Sequence, residues 1–213
     1  MHTETIMQFI GNLGIIAFAI SGAMVAVSKR VDAFGVVVLA VITATGGGMI
    51  RDVLLGIAPP KAFTDRSYVF LAIITALIVF IIAHLFKDSY RRREQLLDSI
   101  NNIVDALGLG VFAVTGTLAA MDYGFADNGF LCVFIGMITG IGGGILRDIM
   151  VKEIPFVLTK RIYAIAALAG SMIFYILYMH NFGYTFSAVA GVALTFSLRM
   201  LATHFRWNLP SAY

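Results

Sequence analysis

The sequence predicts an all-α integral membrane protein with seven transmembrane helices, built as an inverted repeat of three plus three helices with a seventh helix added. Of the 213 residues, 60% are hydrophobic and only 13% are charged, whereas an ordinary soluble domain carries about 25% charged residues. The apolar stretches are continuous rather than alternating, which argues against a transmembrane β-barrel. A glycine-rich motif also occurs twice, at corresponding places in the two halves.

Seven apolar stretches are long enough to be membrane helices, since a helix needs about 20 residues to cross the hydrocarbon core of a bilayer. We predict one transmembrane domain over residues 1–213, with repeat one at 5–86, repeat two at 99–179 and a seventh helix at 182–203. The predicted helices are Thr5–Ser28, Phe34–Ile57, Ser67–Phe86, Ser99–Met121, Asn128–Val151, Ile162–Met179 and Phe182–Thr203.

Basic residues are distributed unequally between the two sides that alternating helices would create. One side collects only Lys61 and Arg66, and the other collects Lys29, Arg30, Lys87, Arg91, Arg92, Arg93, Lys152, Lys160, Arg161 and Arg206. Lysine and arginine are enriched in cytoplasmic loops. We therefore expect a multi-pass protein of the cell inner (plasma) membrane, with its N-terminus outside and its C-terminus in the cytoplasm.

The repeated motif places three glycines before an Arg-Asp pair inside an apolar stretch, at 46–52 and again at 142–148. Each glycine costs roughly 0.8–1 kcal/mol relative to alanine in a helix interior. This cost predicts that helices two and five are kinked or broken near the middle of the membrane. The alternative interpretation is that the glycines allow close packing of helices, as small residues do in membranes.

The two halves match at further positions. Phe18, Ser21 and Gly22 in the first helix correspond to Phe112, Thr115 and Gly116 in the fourth. Each repeat has an odd number of crossings, so the second must enter the membrane from the opposite face. Inverted repeats place their functional sites near the bilayer midplane, where discontinuous helices of both halves meet.

The residues of the two motifs are candidates for an ion pathway. Broken helices expose backbone carbonyl oxygens, which suit a partly dehydrated cation, and charges embedded in a membrane indicate function by default. The alternative is that each arginine simply pairs with an aspartate. The candidate pathway residues are Gly46, Gly47, Gly48, Arg51, Asp52, Gly142, Gly143, Gly144, Arg147 and Asp148, together with Thr45, Thr139, Ser21 and Thr115.

One embedded carboxylate falls outside the motifs. Asp105 lies in the fourth helix, where the corresponding residue of the first helix is Gly11. It could pair with Arg147 or with Arg199, so a structural ion pair and a transport role both remain open. We find no Ser-His-Asp arrangement, no HExxH, no Walker A sequence and no CxxC, and the sequence therefore predicts no enzyme, no cofactor and no resident metal site.

The sequence resembles the prokaryotic members of the trimeric intracellular cation (TRIC) channel family. The shared features are seven helices, a three-plus-three inverted repeat and GGGxxRD in both helix two and helix five. The resemblance covers nearly the whole chain. It implies a homotrimer in membrane lipid, with a pore through each protomer for potassium and other monovalent cations, the only metal ions expected and then only in transit. The sequence itself has no polybasic patch, so we expect no nucleic-acid partner. Animal members carry a Lys-Glu-Val motif that is tied to phosphoinositide binding, where this sequence reads Arg51-Asp52-Val53.

The predicted trimer has some support from small residues of helices one and four, such as Gly14, Gly22, Gly108 and Gly116. These residues would allow close approach between copies.

Two other functions fit part of the same pattern. A secondary transporter of a small polar solute such as an amino acid also uses broken helices at a pseudo-twofold midplane. A structural or lipid-interacting membrane protein is the third possibility. Currents through a single protomer, at rates far above those of a transporter, would separate the first two functions.

The orientation can be tested with a single cysteine at Ser89, in a Cys132→Ser background. We expect an impermeant thiol reagent to leave this cysteine unlabelled in intact cells, because the lopsided basic residues place the Lys87–Asp98 connector in the cytoplasm. A cysteine at Thr64, in the loop with few basic residues, serves as the control and should be labelled. Strong labelling at position 89 from outside would reverse the predicted topology.

Overall fold

The computed structural model describes residues 2–87, 93–159 and 162–207. Most of the positions used for the orientation lie in these ranges, whereas Ser89, Arg91, Arg92, Lys160 and Arg161 lie outside the described residues. The long helices are α1 (His2–Ser28), α2 (Ala33–Leu54), α3 (Arg66–Leu85), α4 (Glu94–Ala120), α5 (Gly129–Met150), α6 (Tyr163–Met179) and α7 (Tyr184–His204). Two short helices, Lys61–Thr64 and Phe156–Thr159, follow α2 and α5.

The all-α membrane fold predicted from the sequence is confirmed. Within the described ranges, six helices are long and apolar enough to cross a membrane, and α6 adds a shorter apolar helix over Tyr163–Met179. The start of α4 differs from the prediction, because the helix begins at Glu94 rather than near Ser99. Glutamate and glutamine are good helix formers, so the helix continues beyond the apolar stretch that hydropathy detects.

The helices that carry the two motifs begin in the same way. The side chain of Asp32 accepts a hydrogen bond from the backbone N–H of Gly35 at 2.7 Å, and that of Asn128 accepts one from Leu131 at 3.1 Å. Such N-caps satisfy donors that lack a partner at a helix start. Both caps lie at the same spacing before the glycine motif, so α2 and α5 present their glycines at the same helical position.

The expected interruption at the glycines is not seen, since α2 and α5 are each helical from end to end. The glycines lie instead where the two helices cross. A Cβ atom added to Gly47 would overlap the carbonyl oxygen of Thr139, and one added to Gly143 would overlap the carbonyl oxygen of Thr43. The close-packing interpretation therefore accounts for these glycines, because any side chain would force the two backbones apart.

Each repeat also packs its own first and second helices through an equivalent contact. A Cβ on Gly22 would lie 2.6 Å from Thr43 Oγ1, and a Cβ on Gly116 would lie 2.5 Å from Thr139 Oγ1. These four residues are related pairwise by the sequence repeat. The contacts between the repeats are reciprocal, because Gly47 meets Thr139 and Gly143 meets Thr43, as a two-fold relation between the halves produces.

The same relation holds between α1 and α4. Gly14 packs against Val111 and Phe112, and Gly108 packs against the ring of Phe18. The two phenylalanine rings are 5.1 Å apart between centroids. Gly14, Gly22, Gly108 and Gly116 thus permit close packing inside one protomer, and the idea that they mediate contacts between copies is wrong.

Alanine substitutions within one motif test the role of the crossing. Gly47→Ala should lower the thermal unfolding midpoint in mild detergent, since overpacking typically costs about 1–3 kcal/mol. Gly48→Ala is the matched control, because its Cβ would meet only Arg51 Nη2, at an ordinary 3.7 Å. That variant should keep or raise the midpoint, since alanine favours helix over glycine. Equal midpoints for both variants would contradict the packing role.

Candidate functional site

Each motif aspartate ties its helix to the short helix that follows. Asp52 Oδ1 accepts hydrogen bonds from Arg51 Nε at 2.9 Å and from Nη2 at 2.7 Å, and its Oδ2 accepts the backbone N–H of Lys61 at 2.7 Å. Asp148 Oδ1 accepts from Arg147 Nε at 2.9 Å, and its Oδ2 accepts the backbone N–H of Phe156 at 2.8 Å.

The local sequence explains why these contacts form. The first N–H groups of a helix have no partner within the helix, and a proline precedes each short helix, at Pro60 and Pro155. The buried carboxylates of Asp52 and Asp148 satisfy one such donor each, while the neighbouring arginine balances the charge. The expectation that each arginine pairs with its own aspartate therefore agrees with the described geometry.

The second motif is completely enclosed. The side chain of Arg147 is 0% exposed, and its Nη1 donates to Asp105 Oδ1 and to Ser21 Oγ, both at 2.6 Å. The guanidinium also lies 5.1 Å from the centroid of the Phe156 ring. Removing one partner from a buried ion pair typically costs about 3–5 kcal/mol, so this network holds α1, α4 and α5 firmly together.

The structure decides between the two arginines that Asp105 could reach. Asp105 pairs with Arg147. Arg199 instead donates to Asn102 Oδ1 at 2.9 Å and stacks its guanidinium over the Tyr163 ring, 4.8 Å from the centroid. A pairing of Asp105 with Arg199 is not part of the described structure.

The first motif faces open space. A cavity of about 390 Å³ lies beside α2 and is lined by five of the candidate residues: Thr45, Gly48, Arg51, Asp52 and Thr115. The side chain of Arg51 is 12% exposed, in contrast to the fully buried Arg147. Related sequences therefore build an open pocket in one half of the protein and a filled network in the other.

The remaining candidates fall into two groups. Ser21, Arg147 and Asp148 belong to the buried network. The others lie in or beside the helix crossing and are buried: Gly46, Gly47, Gly142, Gly143, Gly144 and Thr139. The hydroxyl of Thr139 donates to the carbonyl of Ile135 in its own helix at 2.6 Å.

Several residues of the cavity were not singled out by the sequence as site residues, namely Gln8, Lys61, Tyr68, Asp122 and Tyr184. Asp122 could have been identified as a candidate from the sequence, because it is an acidic residue at the end of an apolar stretch. The others come from segments far apart in the chain, and no local pattern relates them to the motif.

Comparisons with known proteins agree on one family. The family model described as glycine transporter matches residues 8–84 and again residues 102–179. A UPF0126 membrane protein from Deinococcus radiodurans is 40% identical over 204 residues, which cover 94% of this chain and 86% of that protein.

Solved structures of similar sequence share the whole fold. A prokaryotic TRIC channel crystallised in 0.5 M KCl is 37% identical, with a TM-score of 0.86 over 97% of this chain and 100% of that one. The TRIC trimeric intracellular cation channel orthologue from Rhodobacter sphaeroides is 32% identical, with a TM-score of 0.84 over 95% and 100%. The resemblance noted in the glycine motifs thus extends to nearly the whole chain, which is a membrane protein and belongs to the prokaryotic TRIC family.

Proposed function

We propose that this chain is a cation channel that assembles as a homotrimer and conducts potassium and other monovalent cations through a pore in each protomer. The similar solved structures are described as TRIC cation channels. The observation that carries the proposal in this chain is the cavity of about 390 Å³, which contains charged and hydroxyl side chains within a bundle of membrane helices. Ionisable residues inside a membrane protein typically face such water-filled paths.

The proposed path starts in this cavity, which the expected topology places on the outer side. It then passes the crossing of α2 and α5 and continues toward Arg147. Because α2 and α5 remain helical, their glycine carbonyls are engaged within the helices and are poor cation ligands. Side chains such as Asp122 and Thr115, which line the cavity, supply oxygen atoms instead.

The described conformation corresponds to a closed state in this proposal. Arg147 is fully buried and bonded to Ser21 and Asp105, so no water reaches it from the cytoplasmic side. Opening then requires that Arg147 leave these partners, and the equilibrium between two packed arrangements sets the open fraction. Arg51, already paired with Asp52, adds little net charge to the outer cavity.

Two measurements on the purified protein test the proposal. Its mass in mild detergent should be that of three chains, and planar-bilayer recording should detect its currents. We expect discrete currents that reverse near the potassium equilibrium potential in a KCl gradient and that persist when sodium replaces potassium. A reversal potential set by chloride would contradict cation conduction, and so would the absence of current at all voltages.

A transporter of a small amino acid is the second candidate, and the description of the matching family model as glycine transporter favours it. Both functions use a polar cavity at the centre of an inverted repeat. Uptake of labelled glycine into proteoliposomes, saturable and without discrete currents in the bilayer, would support the transporter and oppose the channel.

The closure at Arg147 can be tested with Asp105→Asn, which removes the charge but keeps the size. We expect the ratio of open to closed time to rise roughly tenfold to a hundredfold, because a hydrogen bond to a charged partner contributes about 1.5–3 kcal/mol. Asp127→Asn, at an exposed position, is the control and should record like the wild type. If Asp105→Asn keeps the wild-type melting midpoint and the wild-type open fraction, this ion pair does not close the path.

A further inference from the structure

The two arginine sites differ in one structural respect that the repeat makes visible. Around Arg147, a carboxylate oxygen of Asp105 and the hydroxyl of Ser21 both contact Nη1. By the sequence repeat, the equivalent positions around Arg51 are Gly11 and Thr115. The arginine of the first half therefore has the hydroxyl position but lacks the carboxylate.

A side chain at Gly11 would begin in open space. A Cβ atom on Gly11 would meet nothing within 4 Å, and Gly11, Arg51 and Thr115 all line the cavity of about 390 Å³. The hydrogen bonds of Arg51 use Nε and Nη2, and Nη1 makes none to the described residues. The hydroxyl Oγ1 of Thr115 is buried and has no hydrogen-bond partner in the described structure.

A second buried hydroxyl lines the same cavity. Tyr184 is 5% exposed, and its Oη also lacks a hydrogen-bond partner among the described residues. Buried polar atoms are nearly always satisfied, so these two hydroxyls are groups beside the cavity that still lack a partner among the described residues. Of the other charged groups in the cavity, Lys61 favours an anion and Asp122 opposes one, while Asp52 is neutralised by Arg51.

We propose that the outer cavity binds a small carboxylate, which takes the place beside Arg51 that the Asp105 carboxylate takes beside Arg147. Arg51 Nη1 and the Thr115 hydroxyl donate to the bound carboxylate. In the other half, Arg147 Nη1 donates to the Asp105 carboxylate, and the Ser21 hydroxyl lies beside that carboxylate. Charge-assisted hydrogen bonds from guanidinium to carboxylate are short and strong. This site goes beyond cation conduction and does not depend on it.

The carboxylate can belong to a free organic anion or to a zwitterionic amino acid whose ammonium group faces Asp122. Both share the group that Arg51 recognises, and they differ only in the positive charge. Chloride, by contrast, lacks the planar pair of oxygens that matches a guanidinium edge.

Thermal unfolding of the purified protein at constant ionic strength measures binding directly. We expect sodium acetate to raise the midpoint saturably above its value in sodium chloride, because a ligand that binds only the folded state stabilises it. A parallel measurement with glycine in place of acetate distinguishes an amino acid from a free organic anion. A larger rise of the midpoint with glycine identifies an amino acid site, and a larger rise with acetate identifies a site for free anions. Midpoints that match the chloride value with both compounds would overturn the proposal.

Two variants locate the effect. Gly11→Asp supplies the missing carboxylate from the protein itself, so the acetate response should fall at least roughly tenfold in apparent affinity, the loss expected when about 1.4 kcal/mol of binding is removed. Gly11→Ala, whose Cβ meets open space, is the matched control and should respond like the wild type. Thr115→Val, which removes only a hydroxyl, should weaken the response several-fold, in line with a hydrogen bond of about 1 kcal/mol. Wild-type affinity for acetate in both Gly11→Asp and Thr115→Val would exclude this site.

Discussion

The backbone contact between α2 and α5 is the constraint on which the rest of the structure depends. Gly47 and Gly143 bring each helix against a carbonyl oxygen of the other, and no larger residue fits there. This contact fixes the distance between the two repeats and places one Arg-Asp pair on each side of it. Helices in lipid gain little from the hydrophobic effect on packing together, so close contact and polar bonds carry the association.

The open and filled halves differ although they are built from related sequences. Both repeats keep the arginine, the aspartate and the bond from that aspartate to the following short helix. One difference between them lies in the first helix of each repeat, Gly11 against Asp105. The Asp105 carboxylate gives Arg147 a second acidic partner beside Asp148, whereas Gly11 lines the cavity beside Arg51.

Much of the fold was predictable from the sequence, because the spans are long, apolar and separated by polar segments. The Arg51–Asp52 and Arg147–Asp148 pairs were predictable as well, since a charge inside a membrane needs a partner. The glycine break was not, because three glycines have the same local cost whether they interrupt a helix or face a second one. Only the position of Thr139 and Thr43 on the opposite helix distinguishes these cases. Tyr184 and Lys61 reach the cavity from segments far apart in the chain. No periodic pattern in the sequence relates these two residues to the first motif.

The glycine crossing also bears on the order in which the protein is assembled during synthesis. Gly22 and Thr43 can pack α1 against α2 as soon as both helices have been inserted. The glycine face of α2, however, finds its partner only when α5 leaves the ribosome, after the connector and all of α4. Its backbone is satisfied within the helix, so α2 can wait in lipid at little cost. The first repeat is therefore held in the bilayer as an incomplete half until the second arrives.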